Sequence, residues 1–364
     1  MSTSLQKEEL ASFDIEDKDQ PVPPPEVVAY NELRSCADLS RMYFTGKLDI
    51  QPDFQREVVW KPAEQARFID SLVKQLPIPS MCFSLDPKTQ KWKVIDGLQR
   101  MQTITSFLGE KPWAIDGVED IDPILRGKTN AQLRDGTQAE QQIYGQVEDL
   151  TIPVTVIRCS YEKKAHMRYL FMIFNRLNSG GVKLNNQEIR NCIYSGPFNS
   201  ALKDFDKSSK PWKLVTKRIW GSMARFRSVE VLLRALAFSE RLDQYEGNLS
   251  GFLNDYMHEK SQVTGAELGA MIDSLQAMAS LAEKVLARLG GGKRSLTVVE
   301  SILVGLLANL PELQQLSLKL NAHLDASTNR FKETDSYQAG ARYAISSPQT
   351  VKERLEEAVN AFAV

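Results

Sequence analysis

The spacing of apolar residues changes character about halfway along this chain. Up to about Asn199, short continuous or alternating apolar runs interleave with stretches of helical spacing. Beyond Pro197 only the three-to-four spacing of helices remains. Leu33, Leu39 and Tyr43 predict a helix running toward a stop at Gly46. Residues 61–76 predict an amphipathic helix with Phe68, Ile69, Leu72, Val73 and Leu76 on one face and Pro62 in its first turn. Residues 81–85 and 92–95 read as a hairpin whose turn opens Asp86-Pro87-Lys88-Thr89. A helix over about 98–108, a strand over 151–158 and a helix over 161–177 follow. Later, 229–245, 265–289, 296–310 and 351–362 all carry helical spacing. The pattern predicts an α+β architecture, with a mixed domain over 29–200 and an all-helical bundle over 201–364.

The segment 1–28 fits neither part. Asp14, Glu16, Asp17 and Asp19 precede Pro21-Val22-Pro23-Pro24-Pro25, a composition that favours an extended, solvated arm. It reads as a disordered tail, or alternatively as a docking segment for a partner. The first 20 residues are polar and mixed in charge, and the longest apolar stretch, near 302–310, is too short for a bilayer. The expectation is a cytoplasmic protein with no membrane partner.

Charge and cysteine usage narrow the chemistry. Lys and Arg number 45 against 46 Asp and Glu, so a globally basic nucleic-acid binder is not indicated. Cys36, Cys82, Cys159 and Cys192 are far apart and read as buried apolar residues in a reducing compartment. With three histidines in all, a His-rich metal nuclease is not expected on this chain.

The sharpest local feature is Lys93-Val94-Ile95-Asp96-Gly97-Leu98-Gln99-Arg100, a strand turning abruptly into a helix. Gly97 permits close approach of backbone to a ligand, and the opening amides and dipole of the helix favour an anion. Arg100 offers a two-pronged contact to phosphate oxygens. Asp96 is placed to orient water, to hold Mg²⁺, or simply to cap the helix. The same turn is also a common structural device, and spacing alone leaves both readings open.

Three further clusters qualify. Gln55, Arg56 and their aromatic neighbours Phe54 and Trp60 supply a second cation with either core anchors or a base-stacking wall. Around Asn178-Ser179-Gly180-Gly181 and Asn185 to Arg190, including Glu188, polar side chains crowd a helix stop and a helix cap. Residues 203–227 are locally basic. Their Lys213, Lys217, Arg218 and Arg225, with Trp212, Trp220 and Phe226 interleaved, form either a nucleic-acid track or a solvated face over core aromatics. Gly290-Gly291-Gly292-Lys293-Arg294-Ser295 imitates a P-loop fragment, but follows a helix and reads as a helix stop and link.

Taken in order, FQRxxVW, IDGLQRxxTI, FxRLNSGGxxLNxQEIRN, and then Arg225 with Glu230-Val231-Leu232-Leu233-Arg234, resemble the N-terminal domain family of GmrSD-type restriction systems over roughly residues 35–260. The resemblance implies a ParB/sulfiredoxin-like fold whose G-x-x-R phosphate motif is Gly97 to Arg100. It also implies a nucleoside triphosphate ligand, ATP or GTP with Mg²⁺, and hydrolysis that licenses nuclease action on phage DNA. The family loop usually reads Asp-Gly-Gln-Gln-Arg; here Leu98 replaces the first Gln, so any role of that Gln is not carried over. Leu98 also stands where sulfiredoxin relatives carry a nucleophilic cysteine, which excludes sulfur chemistry at the loop.

On this reading Asp96, Gln99 and Arg100 are the catalytic candidates. Gly97, Leu98, Arg56, Gln55, Asn178, Ser179 and Glu188 are the nucleotide-binding ones. No His-Asn-His module is present, so a separate nuclease or effector subunit is the expected partner. The apolar helical faces would also suit a homo-oligomer. The competing class is a non-catalytic DNA-binding or regulatory module that senses phage DNA or restrains a toxic partner.

Overall fold

The computed structural model describes residues 22–50, 60–116, 118–177, 184–290, 292–339 and 347–364. The chain divides between Lys183 and Leu184 into two compact units. The architecture is α+β, and the five strands found among the described residues all lie in the first unit.

That unit is built on a mixed sheet in the order β1-β5-β3-β4-β2: β1 (Val28–Ser35), β2 (Leu48–Asp49), β3 (Met81–Leu85), β4 (Trp92–Asp96) and β5 (Thr151–Arg158). β1 is antiparallel to β5, β5 parallel to β3, β3 antiparallel to β4, and β4 parallel to β2. The β3–β4 hairpin forms as the pattern predicts. Asp86 closes its turn by accepting from the Lys88 amide at 3.1 Å and Thr89 Oγ1 at 2.8 Å. β3 is buried at every position; it is apolar except for Ser84, whose hydroxyl hydrogen-bonds that of Tyr161 at 2.7 Å.

Helices α1 (Cys36–Phe44), α2 (Pro62–Val73), α3 (Leu98–Phe107), α4 (Asn130–Arg134), α5 (Gln138–Asp149) and α6 (Lys164–Leu177) complete the unit. One core joins Leu39 of α1, Ile69 and Leu72 of α2, Met101, Ile104 and Phe107 of α3 and Val147 of α5 to Met81, Phe83 and Val154 of the sheet. Leu33 corrects the predicted first helix: it lies in β1 and is largely exposed. All eight residues of β1 pair in unbroken register with β5, and that ladder overrides a sparse apolar spacing. The helix begins at Cys36 instead, where Ser35 Oγ accepts from the Asp38 amide at 3.1 Å. Its stop is the predicted Gly46, in the left-handed region at φ 68°.

In the second unit every named element among the described residues is helical, with one isolated bridge between Ile219 and Arg294. The elements that matter below are α7 (Asn186–Ile193), α8 (Pro197–Ser208), α9 (Lys210–Lys217), α10 (Arg227–Arg241), α11 (Leu249–Lys260), α12 (Gly265–Arg288) and α13 (Leu296–Ala308), with α14 (Leu310–Gln315), α15 (Leu320–Glu333), α16 (Asp335–Ala339) and α17 (Pro348–Phe362) following. The α12–α13 link contains the P-loop look-alike. Gly290, at φ 92°, follows the end of α12, and Ser295 Oγ caps α13 through the Val298 amide at 3.3 Å. The segment joins two helix ends.

A fully buried charge network runs through this unit. Arg190 Nη1 donates to Glu230 Oε2 at 3.0 Å, and Arg234 Nε donates to Glu230 Oε1 at 3.0 Å. Arg354 Nη2 donates to Glu300 Oε2 at 2.6 Å, and Arg234 Nη1 lies 3.7 Å from Glu300 Oε1. These residues come from α7, α10, α13 and α17. The network ties four helices together by charge.

Candidate functional site

The candidate site is the turn between β4 and α3. Trp92, Val94 and Ile95 anchor β4 inside, and Met101, Ile104 and Phe107 seat α3 on the sheet. Between these two fixed elements the chain must reverse within one residue. Gly97 does so at φ 95° and ψ 17°. A Cβ at that position would also stand 2.6 Å from Met81 Cγ and 2.9 Å from its Sδ. Both the backbone angle and the close approach to β3 therefore require glycine. Behind it the Gly97 carbonyl accepts from the Met101 amide at 2.9 Å, so α3 starts cleanly. The first-turn amides of a helix have no acceptor within it, and helix openings in general suit an anion.

Asp96 ends β4 with its side chain 41% exposed, so its carboxylate is accessible for chemistry. Arg100, one helical turn on, is only 13% exposed and is already engaged. Its Nη2 donates to Asp96 Oδ2 at 2.8 Å and to the Ser80 carbonyl at 3.4 Å, while Nη1 donates to the Pro79 carbonyl. Burial pushes this guanidinium below its ordinary range, and the Asp96 carboxylate opposes that shift. Both prongs expected to meet phosphate thus hold the Asp96 carboxylate and the chain entering β3 in this conformation. Cys82, paired across the sheet with Asp96, has its thiol pushed up to about 12 by burial, with the Asp96 charge adding to the effect. It stays protonated and unreactive at neutral pH.

Gln99 and Leu98 point to different jobs. Gln99 Oε1 accepts from the Trp60 amide at 3.0 Å, tying the turn to the chain that enters α2. Trp60 packs on the core and meets Phe68 edge-on at 5.4 Å, which makes it an anchor. Leu98 is half-buried against the same core. Gln55, Arg56 and Phe54, and likewise Asn178 and Ser179, lie outside the described residues.

Glu188 belongs to the helical unit and is buried. It completes a reciprocal cap with Asn185: the Asn185 amide donates to Glu188 Oε2 at 2.7 Å, and the Glu188 amide donates to Asn185 Oδ1 at 2.9 Å. Arg225 grips the same carboxylate with two prongs, Nε to Oε1 at 2.9 Å and Nη2 to Oε2 at 2.6 Å. Arg225 and Phe226 are both left-handed, at φ 57° and 60°, a strained pair that the Glu188 contact holds in place. The structure thus joins two residues that the sequence assigned to different ligands.

Of the basic candidates, Lys213 and Lys217 are exposed on α9 and Arg218 is half-buried at its end. Trp212 is fully buried, with its indole N–H donating to Asp206 Oδ1 at 2.7 Å, so it is a core residue and offers no stacking face. Among the described residues no group of three or more His, Cys, Asp or Glu is arranged to hold a metal ion. No helix there is long and apolar enough to cross a membrane.

What sequence reasoning missed is the support of the turn: the Pro79 and Ser80 carbonyls, and Met81 beneath Gly97. Carbonyl acceptors carry no side-chain signature, so no motif could mark them.

Residues 38–195 match the family described as GmrSD restriction endonuclease, N-terminal domain. The matched span contains the whole Asp96–Arg100 turn and its supports. No curated protein and no solved structure matches the chain.

Proposed function

We propose that this protein binds a nucleoside triphosphate, ATP or GTP with Mg²⁺, at the Asp96–Arg100 turn and hydrolyses it as the sensing or licensing component of a phage-restriction system. A separate nuclease or effector subunit completes that system. The sheet unit is read as ParB/sulfiredoxin-like and the helical unit as its accompanying bundle. The observation that carries the reading is a half-buried carboxylate, Asp96, paired with Arg100 at the mouth of a left-handed glycine turn that opens a ten-residue helix, within the segment that matches a restriction family.

The donor set fits the ligand. Backbone amides of Leu98 and Gln99 receive phosphate oxygens, and the oxygen-only chemistry of Asp96 suits Mg²⁺. When bound, the ion would neutralise phosphate charge. Asp96 otherwise orients water. Gln99 fixes the turn through Trp60, and Arg100 sets the Asp96 carboxylate; an incoming triphosphate competes with Asp96 for that guanidinium. Gln55, Arg56, Asn178 and Ser179 remain nucleotide-contact candidates on the motif alone.

Phosphate release from the purified chain tests this directly. Asp96→Asn should abolish release while keeping nucleotide uptake, and Arg100→Ala should lower both. If no nucleotide is turned over, with or without DNA, the enzyme reading falls and the regulatory module stands. That second reading is favoured by one observation: Lys210, Lys213 and Lys217 form an exposed stripe on α9, suited to nucleic-acid phosphate.

A further inference from the structure

Among the described residues the sheet ends in two unequal edges. β2, on one side, has two residues, whereas β1, on the other, has eight. β1 is bonded along one flank, by its ladder to β5. The Cys36 amide donates to the Leu150 carbonyl at 2.9 Å, one step past the last ladder pair, Ser35 with Thr151. Hydrogen bonds alternate along antiparallel strands, so Tyr30, Glu32 and Arg34 turn their backbone groups toward β5, and Ala29, Asn31 and Leu33 turn theirs outward. The Cys159 amide, which donates to the Leu85 carbonyl at 3.0 Å on the β3 side, gives β5 the same phase.

Free strand edges are commonly blunted by proline, by lysine or by a bulge. β1 contains no proline or lysine, and its register with β5 is unbroken. Its two charges are met within the chain, Arg34 donating to Glu32 at 2.7 Å and to Asp38 at 2.6 Å. Val28, Tyr30 and Leu33 are 52%, 39% and 68% exposed. A charge-balanced edge with apolar side chains on both faces is a template for another strand.

The sequence of β1 suits a second copy of itself. Two copies meeting antiparallel about a twofold axis must set outward residues opposite outward residues, so one position stands on the axis opposite its own counterpart. Glu32 there would bring like charges face to face. Leu33 there would set Tyr30 against Cys36, where α1 begins, and Tyr30 there would set Leu33 against Val27, outside the strand. With Asn31 on the axis the pairing spans residues 28–34: Ala29 faces Leu33, Val28 faces Arg34 and Tyr30 faces Glu32. No like charges are opposed, and about six backbone hydrogen bonds form through Ala29, Asn31 and Leu33. Asn31 Oδ1 accepts from Thr155 Oγ1 at 2.8 Å, which leaves the side-chain amide group to donate across the axis. We propose that two copies of this chain join their β1 strands antiparallel about an axis at Asn31, continuing the sheet from one copy into the other. The pairing is independent of the nucleotide reading.

The test uses the full chain. Residues opposed on the axis stand about 5.5 Å apart at Cα, within disulfide reach, and the four native cysteines are buried. Under mild oxidation Asn31→Cys should give a linked dimer about tenfold or more faster than Tyr30→Cys, Glu32→Cys or Leu33→Cys. A strand pair of this length is smaller than a standard interface, so sedimentation of the native chain should show dimers that dissociate on dilution. Leu33→Pro deletes an outward N–H and spares the ladder to β5. It should weaken the dimer about tenfold or more with little change in the unfolding midpoint. Leu33→Lys keeps that N–H and the backbone geometry, and should weaken the dimer as well. Faster linking at position 30, 32 or 33, a monomer at every concentration, or a dimer indifferent to Leu33→Lys would overturn the proposal.

Discussion

Gly97→Ala isolates the steric basis of the candidate site. Two costs add. Alanine at φ 95° incurs left-handed backbone strain of about 1–2 kcal/mol. Its Cβ would also sit 2.6 Å from Met81 Cγ, in a side chain with no exposure and little room to yield. Overpacking of that kind costs about 1–3 kcal/mol. The expected loss is about 2–5 kcal/mol. Gly46→Ala supplies the control: its φ is 68°, but nothing lies within 4 Å of a Cβ there, so only the backbone term applies. Urea unfolding of both variants, followed by hydrogen exchange at the Met101 and Ile104 amides, separates the two contributions. If Gly97→Ala costs no more than Gly46→Ala, Met81 does not support the turn as described, and the reasoning about why this loop needs glycine is wrong.

Other consequences are independent of that one. Arg100→Ala leaves the Pro79 carbonyl without its donor and Asp96 without its cation, and should cost about 1–3 kcal/mol in thermal unfolding; an unchanged midpoint would show that the pair is not formed in solution. Glu230→Ala removes the carboxylate that pairs with Arg190 and leaves Arg234 only its longer contact with Glu300, and should destabilise the helical unit by about 3–5 kcal/mol, with a loss below 1 kcal/mol contradicting the network. Burial pushes the Cys36, Cys82 and Cys159 thiols each up to about 12, whereas in the unfolded chain they ionise near pH 8.5. Their contribution is therefore complete below about pH 8.5 and is lost as pH rises toward 12. Urea midpoints measured from pH 8 to 11 should fall, and should fall less steeply in Cys36→Ala/Cys159→Ala; equal slopes would refute the burial argument.

Some of this could be read from residue order, and the division has physical causes. Long amphipathic stretches and the β3–β4 hairpin announced themselves, because periodicity and turn chemistry are local. β1 did not: its residues alternate poorly and are mostly exposed, and only pairing with β5, more than a hundred residues away, makes them a strand. The strand-glycine-helix turn was visible in Asp96-Gly97, yet its state was not. Whether Arg100 faces solvent or folds back depends on the Pro79 and Ser80 carbonyls, which sequence does not display. Likewise Glu188 and Arg225 look like ligand-binding groups in isolation, and only the fold shows that they bind each other. Trp212 and Trp60 repeat the lesson, since an aromatic flanked by lysine or arginine is equally consistent with a stacking wall and with a core anchor.

The central claim is that the Asp96–Arg100 turn receives a triphosphate. Isothermal titration of the full chain with ATP and with GTP, each with Mg²⁺, addresses it most directly. The account predicts saturable heat at one nucleotide per chain for at least one of them, weakened about tenfold or more in Arg100→Ala. Absence of heat with both, or identical binding curves in wild type, Asp96→Ala and Arg100→Ala, would contradict it.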